Sequence, residues 1–212
     1  MKLLLLIPFL AMACAPPSDP QTVKDASGRV RARLERVAGK KEGKVQFLNA
    51  DGSLRTEGHY RADSRNGDWT TVDGSGDTLS ILHFNMGKKH GWQAYWAPNG
   101  QLLRMEQFQN GEPDGPLYRF FSDGTPRQYT EYKAGVADGA YMEWYKSDPN
   151  ATGRTTGSFT NGKRSGYWHW TYGNGKPANC GLYINGDRIG PWVKWAPDGS
   201  RAGVTVYEPK EK

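Results

Sequence analysis

Asn161-Gly162-Lys163-Arg164-Ser165-Gly166-Tyr167-Trp168 is the stretch that decides the fold, because close copies of it recur along the chain. One such copy is Asn85-Met86-Gly87-Lys88-Lys89-His90-Gly91-Trp92. The second glycine of the stretch recurs in steps of 24 residues, with one step of 27. These ladder glycines are Gly43, Gly67, Gly91, Gly115, Gly139, Gly166 and Gly190. A fixed period of this length indicates one small unit that buries its apolar face by stacking on its neighbours.

Three further positions of the repeat unit recur at fixed distances from the ladder glycine. In most units a second glycine lies nine residues after the ladder glycine, an aromatic residue lies 17 after it, and a third glycine lies 20 after it. The fifth unit has three extra residues between Lys146 and Gly153. Counting back from Gly43 places Gly28 and Gly39 in glycine columns, so we predict that 30–37 is a strand of an earlier, degenerate unit.

Each unit contains two strand-like runs rich in aromatic residues, such as Trp168-His169-Trp170. Asn99-Gly100 and Asp198-Gly199 predict tight hairpins, because these residue pairs tolerate positive φ angles. After Asn110-Gly111 we predict a five-residue turn that leads to the next ladder glycine. The fold class that follows is all-β: an elongated antiparallel meander of about seven 24-residue hairpin repeats, advancing about 10 Å per unit.

The repeated stretch resembles the MORN repeat, whose pattern runs aromatic-x-x-Gly-x-x-x-Gly-x-aromatic. The longer unit, with its additional Asn-Gly or Asp-Gly hairpin, is most similar to the bacterial MORN-variant group called YwqK-type antitoxins. The resemblance covers about 26–207. It implies a single-layer sheet, scaffolding, protein contacts and membrane association, and it implies no shared chemistry.

The N-terminus has the pattern of a bacterial export signal. Met1-Lys2 is followed by an apolar run from Leu3 to Met12, which is too short to span a bilayer. Leu10-Ala11-Met12-Ala13-Cys14 resembles a lipobox and predicts lipid attachment at Cys14, whereas Ala11-Met12-Ala13 also fits ordinary signal peptidase cleavage. Only the first alternative requires the thiol, so membrane release of a Cys14→Ser protein would distinguish them.

These patterns divide the chain into four segments. We predict a signal peptide over 1–13, a lipid-anchored flexible linker over 14–25, the repeat domain over 26–208 and a charged tail over 209–212. The predicted location is the bacterial cell envelope. An outer-membrane lipoprotein is the first interpretation, and a periplasmic or secreted protein is the alternative.

No catalytic or metal-binding motif stands out. His59 and His83 share a register but lie one unit apart, about 10 Å, which is too far to bind one zinc ion. The glycines are not part of a phosphate-binding loop, and no nucleophile elbow or carboxylate pair occurs. We therefore expect no enzymatic activity, no catalytic residue, no metal and no cofactor.

Basic residues form the one patterned polar feature of a chain with net charge +6. They recur in the predicted turn between repeats and are expected to line one long edge of the sheet. These residues are Lys40, Lys41, Arg65, Lys88, Lys89, Lys163, Arg164 and Arg188. Two interpretations remain open: solvated turn residues, or a surface for anionic lipid, lipopolysaccharide or an acidic protein. Nucleic acid is not expected for an exported protein.

The sequence thus predicts a non-enzymatic repeat protein that acts as a binding surface or scaffold for an unidentified protein or an anionic envelope component. The alternative is an antitoxin or immunity-type inhibitor of a toxin or effector, which the resemblance implies. Genomic adjacency to a toxin gene would favour the alternative.

Overall fold

A computed structural model of the protein describes residues 21–148 and 151–209, and every regular element in them is a β-strand. The strands are β1 (Gln21–Lys24), β2 (Val30–Val37), β3 (Lys40–Leu48), β4 (Leu54–Arg61), β5 (Ser64–Val72), β6 (Thr78–Asn85), β7 (Lys88–Trp96), β8 (Leu102–Gln109), β9 (Glu112–Phe120), β10 (Pro126–Lys133), β11 (Val136–Asp148), β12 (Ala151–Thr160), β13 (Lys163–Thr171), β14 (Pro177–Ile184), β15 (Asp187–Trp195) and β16 (Arg201–Tyr207). Each strand pairs with the next in chain order, giving one 16-stranded sheet. The predicted all-β antiparallel meander is confirmed.

Among the described residues the first strand, β1, starts at Gln21, before the predicted domain boundary at Ala26. β1 pairs antiparallel with β2, with Gln21 opposite Leu34 and Val23 opposite Ala32. The repeat period explains this earlier start, because one step of 24 back from Gly43 reaches position 19, so 21–24 occupies the register of a first strand. The predicted strand over 30–37 is confirmed as β2.

The two kinds of turn are the reverse of the sequence prediction. Asn110 and Gly111 both have positive φ, 53° and 98°, and β9 starts at the next residue. The turn between repeats therefore has two residues rather than five, in the conformation that Asn-Gly favours. At Asn99-Gly100 only the glycine has positive φ, and the Gly100 amide donates to the Ala97 carbonyl at 2.9 Å. That geometry describes the longer hairpin loop with glycine in the left-handed position.

The ladder glycines lie inside strands, where they form bulges. Three residues, Gly67, Asp68 and Trp69, stand opposite the single residue Gly58, since Glu57 pairs with Thr70 and His59 with Asn66. Gly67 adopts a φ of 72° inside the strand, a conformation that costs glycine little. The same shift in register recurs along the sheet and explains why the glycine period is so regular.

The two faces of the sheet differ in composition. One face carries a central row, formed by the residue two positions after each ladder glycine, and we call this face the stacked face. The row consists of Val45, Trp69, Gln93, Leu117, Tyr141, Trp168 and Trp192. Members of this row form part of two apolar clusters, one around Trp69 in the N-terminal half and one around Trp168 in the C-terminal half. The opposite side is the outer face.

Candidate binding surface

Tryptophans of the central row lie flat on glycines of the preceding strand. Trp168 is 0% exposed and Trp192 is 3% exposed. A Cβ atom built on Gly157 would stand 2.2 Å from the Trp168 ring, and a Cβ on Gly181 would stand 2.2 Å from the Trp192 ring. Gly58 and Trp69 repeat the arrangement at 2.5 Å. Each large indole therefore occupies space that the missing side chain of glycine leaves open.

The same tryptophans satisfy a backbone carbonyl beside the bulge. Nε1 of Trp168 donates to the Ser158 carbonyl at 3.2 Å, and Nε1 of Trp192 donates to the Leu182 carbonyl at 3.3 Å. Gln93 occupies the row in the third repeat, and its Nε2 donates to the His83 carbonyl at 3.0 Å. The glutamine side chain thus makes the same hydrogen bond as the indole N–H, although it has no ring.

Five of the eight predicted basic residues stand over the aromatic rings of the stacked face. They are strand residues rather than turn residues, because the two-residue turns end just before them. The guanidinium carbon of Arg164 is 4.5 Å from the Trp168 ring centre, and that of Arg188 is 4.6 Å from the Trp192 ring centre. The five stacked cations are Lys41, Arg65, Lys89, Arg164 and Arg188. Cations held over ring faces at this distance are attracted by the ring quadrupole.

The other three basic residues, Lys40, Lys88 and Lys163, are the exposed first residues of their strands. They lie along the sheet edge beside the next turn: a Cβ on Gly111 would be 3.8 Å from the Lys88 Cβ. A Cβ on Gly186 would likewise be 3.7 Å from the Lys163 Cβ. The eight residues therefore form two sets, one stacked on the rings and one at the edge, rather than a single row.

In the middle of the sheet, polar residues are buried on the stacked face and apolar side chains lie on the outer face, in contrast to the two ends. On the stacked face Gln93, Glu106 and Thr130 are buried, and Glu106 forms an ion pair with Arg104. On the outer face an apolar concavity of about 600 Å³ is lined chiefly by aromatic and other apolar side chains, including Tyr118, Tyr129, Met142 and Trp144. The aromatic packing thus changes sides between the two ends and the middle.

Tyr129 lines this outer concavity and has a carboxylate partner. Its hydroxyl donates to Oε1 of Glu131 at 2.6 Å. Burial, followed by this hydrogen bond, raises the pKa of Tyr129 to about 12. The same hydroxyl and the Ala140 amide lower the pKa of Glu131. A neutral phenol beside an ionised carboxylate is the stable combination at neutral pH.

A second concavity, of about 550 Å³, opens on the stacked face at the C-terminal end of the sheet. Arg164, Arg188 and Lys194 line it together with Trp170 and Asn179. None of these three cations is among the ion pairs that form within 21–148 and 151–209. The site therefore combines positive charge with an aromatic surface.

The remaining predicted features divide between the described and undescribed parts of the chain. Cys14 and the signal segment lie outside the described residues. Within the described residues there is no group of three or more His, Cys, Asp or Glu that could hold a metal ion. That part of the chain also contains no helix long and apolar enough to cross a membrane.

The sequence analysis missed the pairing of tryptophan with glycine. In each pair the glycine precedes the tryptophan by eleven residues: Gly58 and Trp69, Gly157 and Trp168, Gly181 and Trp192. That spacing is visible in the sequence. Its meaning depends on the bulge, which brings the two residues into contact across adjacent strands.

Comparisons with known proteins add no family to this picture. No protein-family model matches the chain, and no curated protein gives a match. Any function must therefore be argued from the repeat residues and their arrangement.

Proposed function

We propose that this chain is a non-enzymatic repeat protein whose stacked face binds an anionic component of the bacterial envelope. The observation that carries the proposal is the set of five stacked cations, held over aromatic rings. None of the five is among the ion pairs of the described residues. Their positive charge is therefore available to a partner.

The rings hold the cations in place. Besides its contact with Trp168, Arg164 donates from Nη1 to the Tyr183 hydroxyl at 3.0 Å. Arg188 makes the equivalent bond to the Tyr207 hydroxyl at 2.9 Å. A side chain fixed in this way loses less conformational entropy on binding than a freely rotating one. The arrangement thus favours recognition of an anion over simple solvation.

The spacing of the cations suits an extended partner. Cations of successive repeats are separated by two strands, or about 10 Å. Three of them lie in the N-terminal half and two in the C-terminal half, and Pro113 and Ala137 occupy the corresponding positions between them. A surface that bears phosphate groups, such as lipopolysaccharide, fits this distribution and the envelope location predicted from the N-terminus.

Retention of the full chain on lipopolysaccharide-coated beads tests the proposal. The stacked variant carries Arg65→Gln, Arg164→Gln and Arg188→Gln, and the matched control carries Lys40→Gln, Lys88→Gln and Lys163→Gln. Both lose three charges, so net charge alone predicts equal retention. We expect the stacked variant to lose most of the retention and the edge variant much less.

Salt dependence completes the design. Retention of the parent should fall as salt is raised, because exposed charges are screened over about 8 Å at physiological ionic strength. Equal loss in both variants would show that total charge, rather than the stacked face, governs binding. No retention of the parent at low salt would refute the proposal.

A further inference from the structure

The C-terminal concavity of the stacked face has a floor built from three adjacent strands. Trp170 of β13 pairs with Asn179 of β14, and Asn179 pairs with Lys194 of β15. An indole, a carboxamide and an ammonium group therefore lie side by side. The floor spans two strand spacings, about 10 Å, which is the scale of one small ligand.

Two guanidinium groups stand at one side of this floor. The guanidinium carbon of Arg164 lies 5.9 Å from the Trp170 ring centre, and both Arg164 and Arg188 line the cavity. A guanidinium has five N–H donors in a planar fork. Its bonds to neutral tyrosine hydroxyls leave both the charge and further donors for a carboxylate or phosphate, which such a fork binds in bidentate fashion.

The lining contains no carboxylate to compensate this charge. It consists of three cations, three aromatic residues, and small or neutral polar residues. Tyr145 and Tyr172 complete the aromatic part, and their hydroxyls donate to the backbone carbonyls of Thr171 and Trp195. Their oxygens retain acceptor capacity toward a ligand hydroxyl.

The corresponding cavity in the N-terminal half shows what is particular to this site. Its floor consists of Phe47, Thr56 and Thr71, which are adjacent in the same way. Its volume is about 340 Å³, and its lining includes Arg65 above Trp69. Only the C-terminal site of the two adds an amide and an ammonium group to the floor.

We propose that the C-terminal concavity binds a sugar bearing a carboxylate or phosphate group. Arg164, Arg188 and Lys194 hold the anion. The Trp170 ring packs against the apolar C–H face of the sugar, and Asn179 bonds its hydroxyl groups. The cavity volume of about 550 Å³ accommodates a ligand of this size. This inference rests on the proposed function, and it assigns the ligand class to one place on the stacked face.

Calorimetric titration of the full chain tests the assignment. The probes are galacturonate and glucose 6-phosphate, and the reference arms are glucose, which lacks the charge, and inorganic phosphate, which lacks the ring. We expect saturable binding of at least one probe, tighter than that of either reference. Arg164→Gln and Lys194→Gln should each weaken it by about tenfold or more, since charge-assisted bonds are lost.

Lys163→Gln is the matched control, because it removes an exposed cation next to Arg164 in β13 that does not line the cavity. Its binding should equal that of the parent. Absence of saturable binding of both probes would overturn the proposal, as would inorganic phosphate binding as tightly as the probes or an equal loss in Lys163→Gln. If lipopolysaccharide retention persists while both probes fail, this site assignment falls alone. If retention fails too, the proposed function falls with it.

Discussion

The C-terminal part of the sheet, β13–β15, and its middle, β7–β10, share one backbone plan but fill the central row differently. In the C-terminal part Trp168 and Trp192 lie on Gly157 and Gly181. In the middle, Gln93 occupies the row, and Leu82 stands where the glycine would be. The backbone carbonyl beside the bulge receives a donor in both places. The hydrogen bond can therefore be made with or without an indole ring, whereas the ring needs its glycine.

The difference extends to the cations and to the outer face. A stacked arginine covers each tryptophan of the row, as Arg164 covers Trp168. In the middle Lys89 is the last stacked cation before Pro113 occupies the equivalent position, and the apolar surface lies on the outer face around Tyr118 and Tyr129. The two regions therefore offer different surfaces, one cationic and aromatic, the other apolar.

The largest expected effect comes from filling the space beneath an indole. Gly157→Ala places a Cβ within 2.2 Å of the Trp168 ring, so the ring must move from a fully buried position. We expect the free energy of unfolding to fall by about 1–3 kcal/mol, as for other overpacked cores. Urea unfolding, followed by tryptophan fluorescence, measures this loss.

Gly203→Ala is the matched control for that substitution. Gly203 also lies in a strand without positive φ, and a Cβ there meets nothing within 4 Å. The change should leave stability unaltered or raise it by up to about 1 kcal/mol, because alanine restricts the unfolded chain. Equal destabilisation by both substitutions would contradict the packing account.

A smaller effect is expected from converting the middle into the C-terminal arrangement. Gln93→Trp alone should destabilise, since Leu82 occupies the space that the ring needs. Leu82→Gly alone should destabilise by loss of apolar burial. Together they recreate the Gly157 and Trp168 pair, so we expect a favourable coupling of about 0.5–3 kcal/mol in a double-mutant cycle. Strictly additive effects would show that the pairing is not transferable between repeats.

The smallest effect concerns the outer face of the middle region. Because the folded pKa of Tyr129 is raised to about 12, its contribution to stability is complete below pH 10 and lost as the pH rises through 12. Phenolate absorbance is measured against pH for the parent and for Tyr129→Phe. The difference between the two curves gives the ionisation of the Tyr129 hydroxyl alone. Glu131→Gln should lower its pKa but not restore the ordinary value of about 10, since burial is the larger cause. A difference titration with its midpoint near pH 10 would refute the assignment.

Most of the strand order followed from the sequence, because a 24-residue period forces each unit to pack on the next. The length and conformation of the turns did not follow. Asn-Gly occurs at both kinds of turn, as at Asn99-Gly100 and Asn110-Gly111, and only the φ angles show which turn is the tight one. Strand β1 was also not predicted, because no glycine or aromatic residue within Gln21–Lys24 indicates the repeat.

The binding surface was only partly predictable. The eight basic residues were found by their register, yet their division into stacked and edge sets depends on which side of the strand each occupies. Alternation along the strand after the two-residue turn decides that side, as Lys88 at the edge and Lys89 over the Phe108 ring show. Neighbouring residues of one strand point to opposite faces, so adjacent lysines have different roles.

The sequence by itself determined the repeat, the all-β class and the places where glycine must occur, because these depend on local periodicity and backbone freedom. Tertiary structure decided which residues meet across strands: Trp168 with Gly157, Arg164 with Tyr183, and Trp170 with Asn179 and Lys194. These contacts join residues about 10–25 positions apart. Pairing register and bulges bring them together, and a one-residue shift would turn each side chain to the other face.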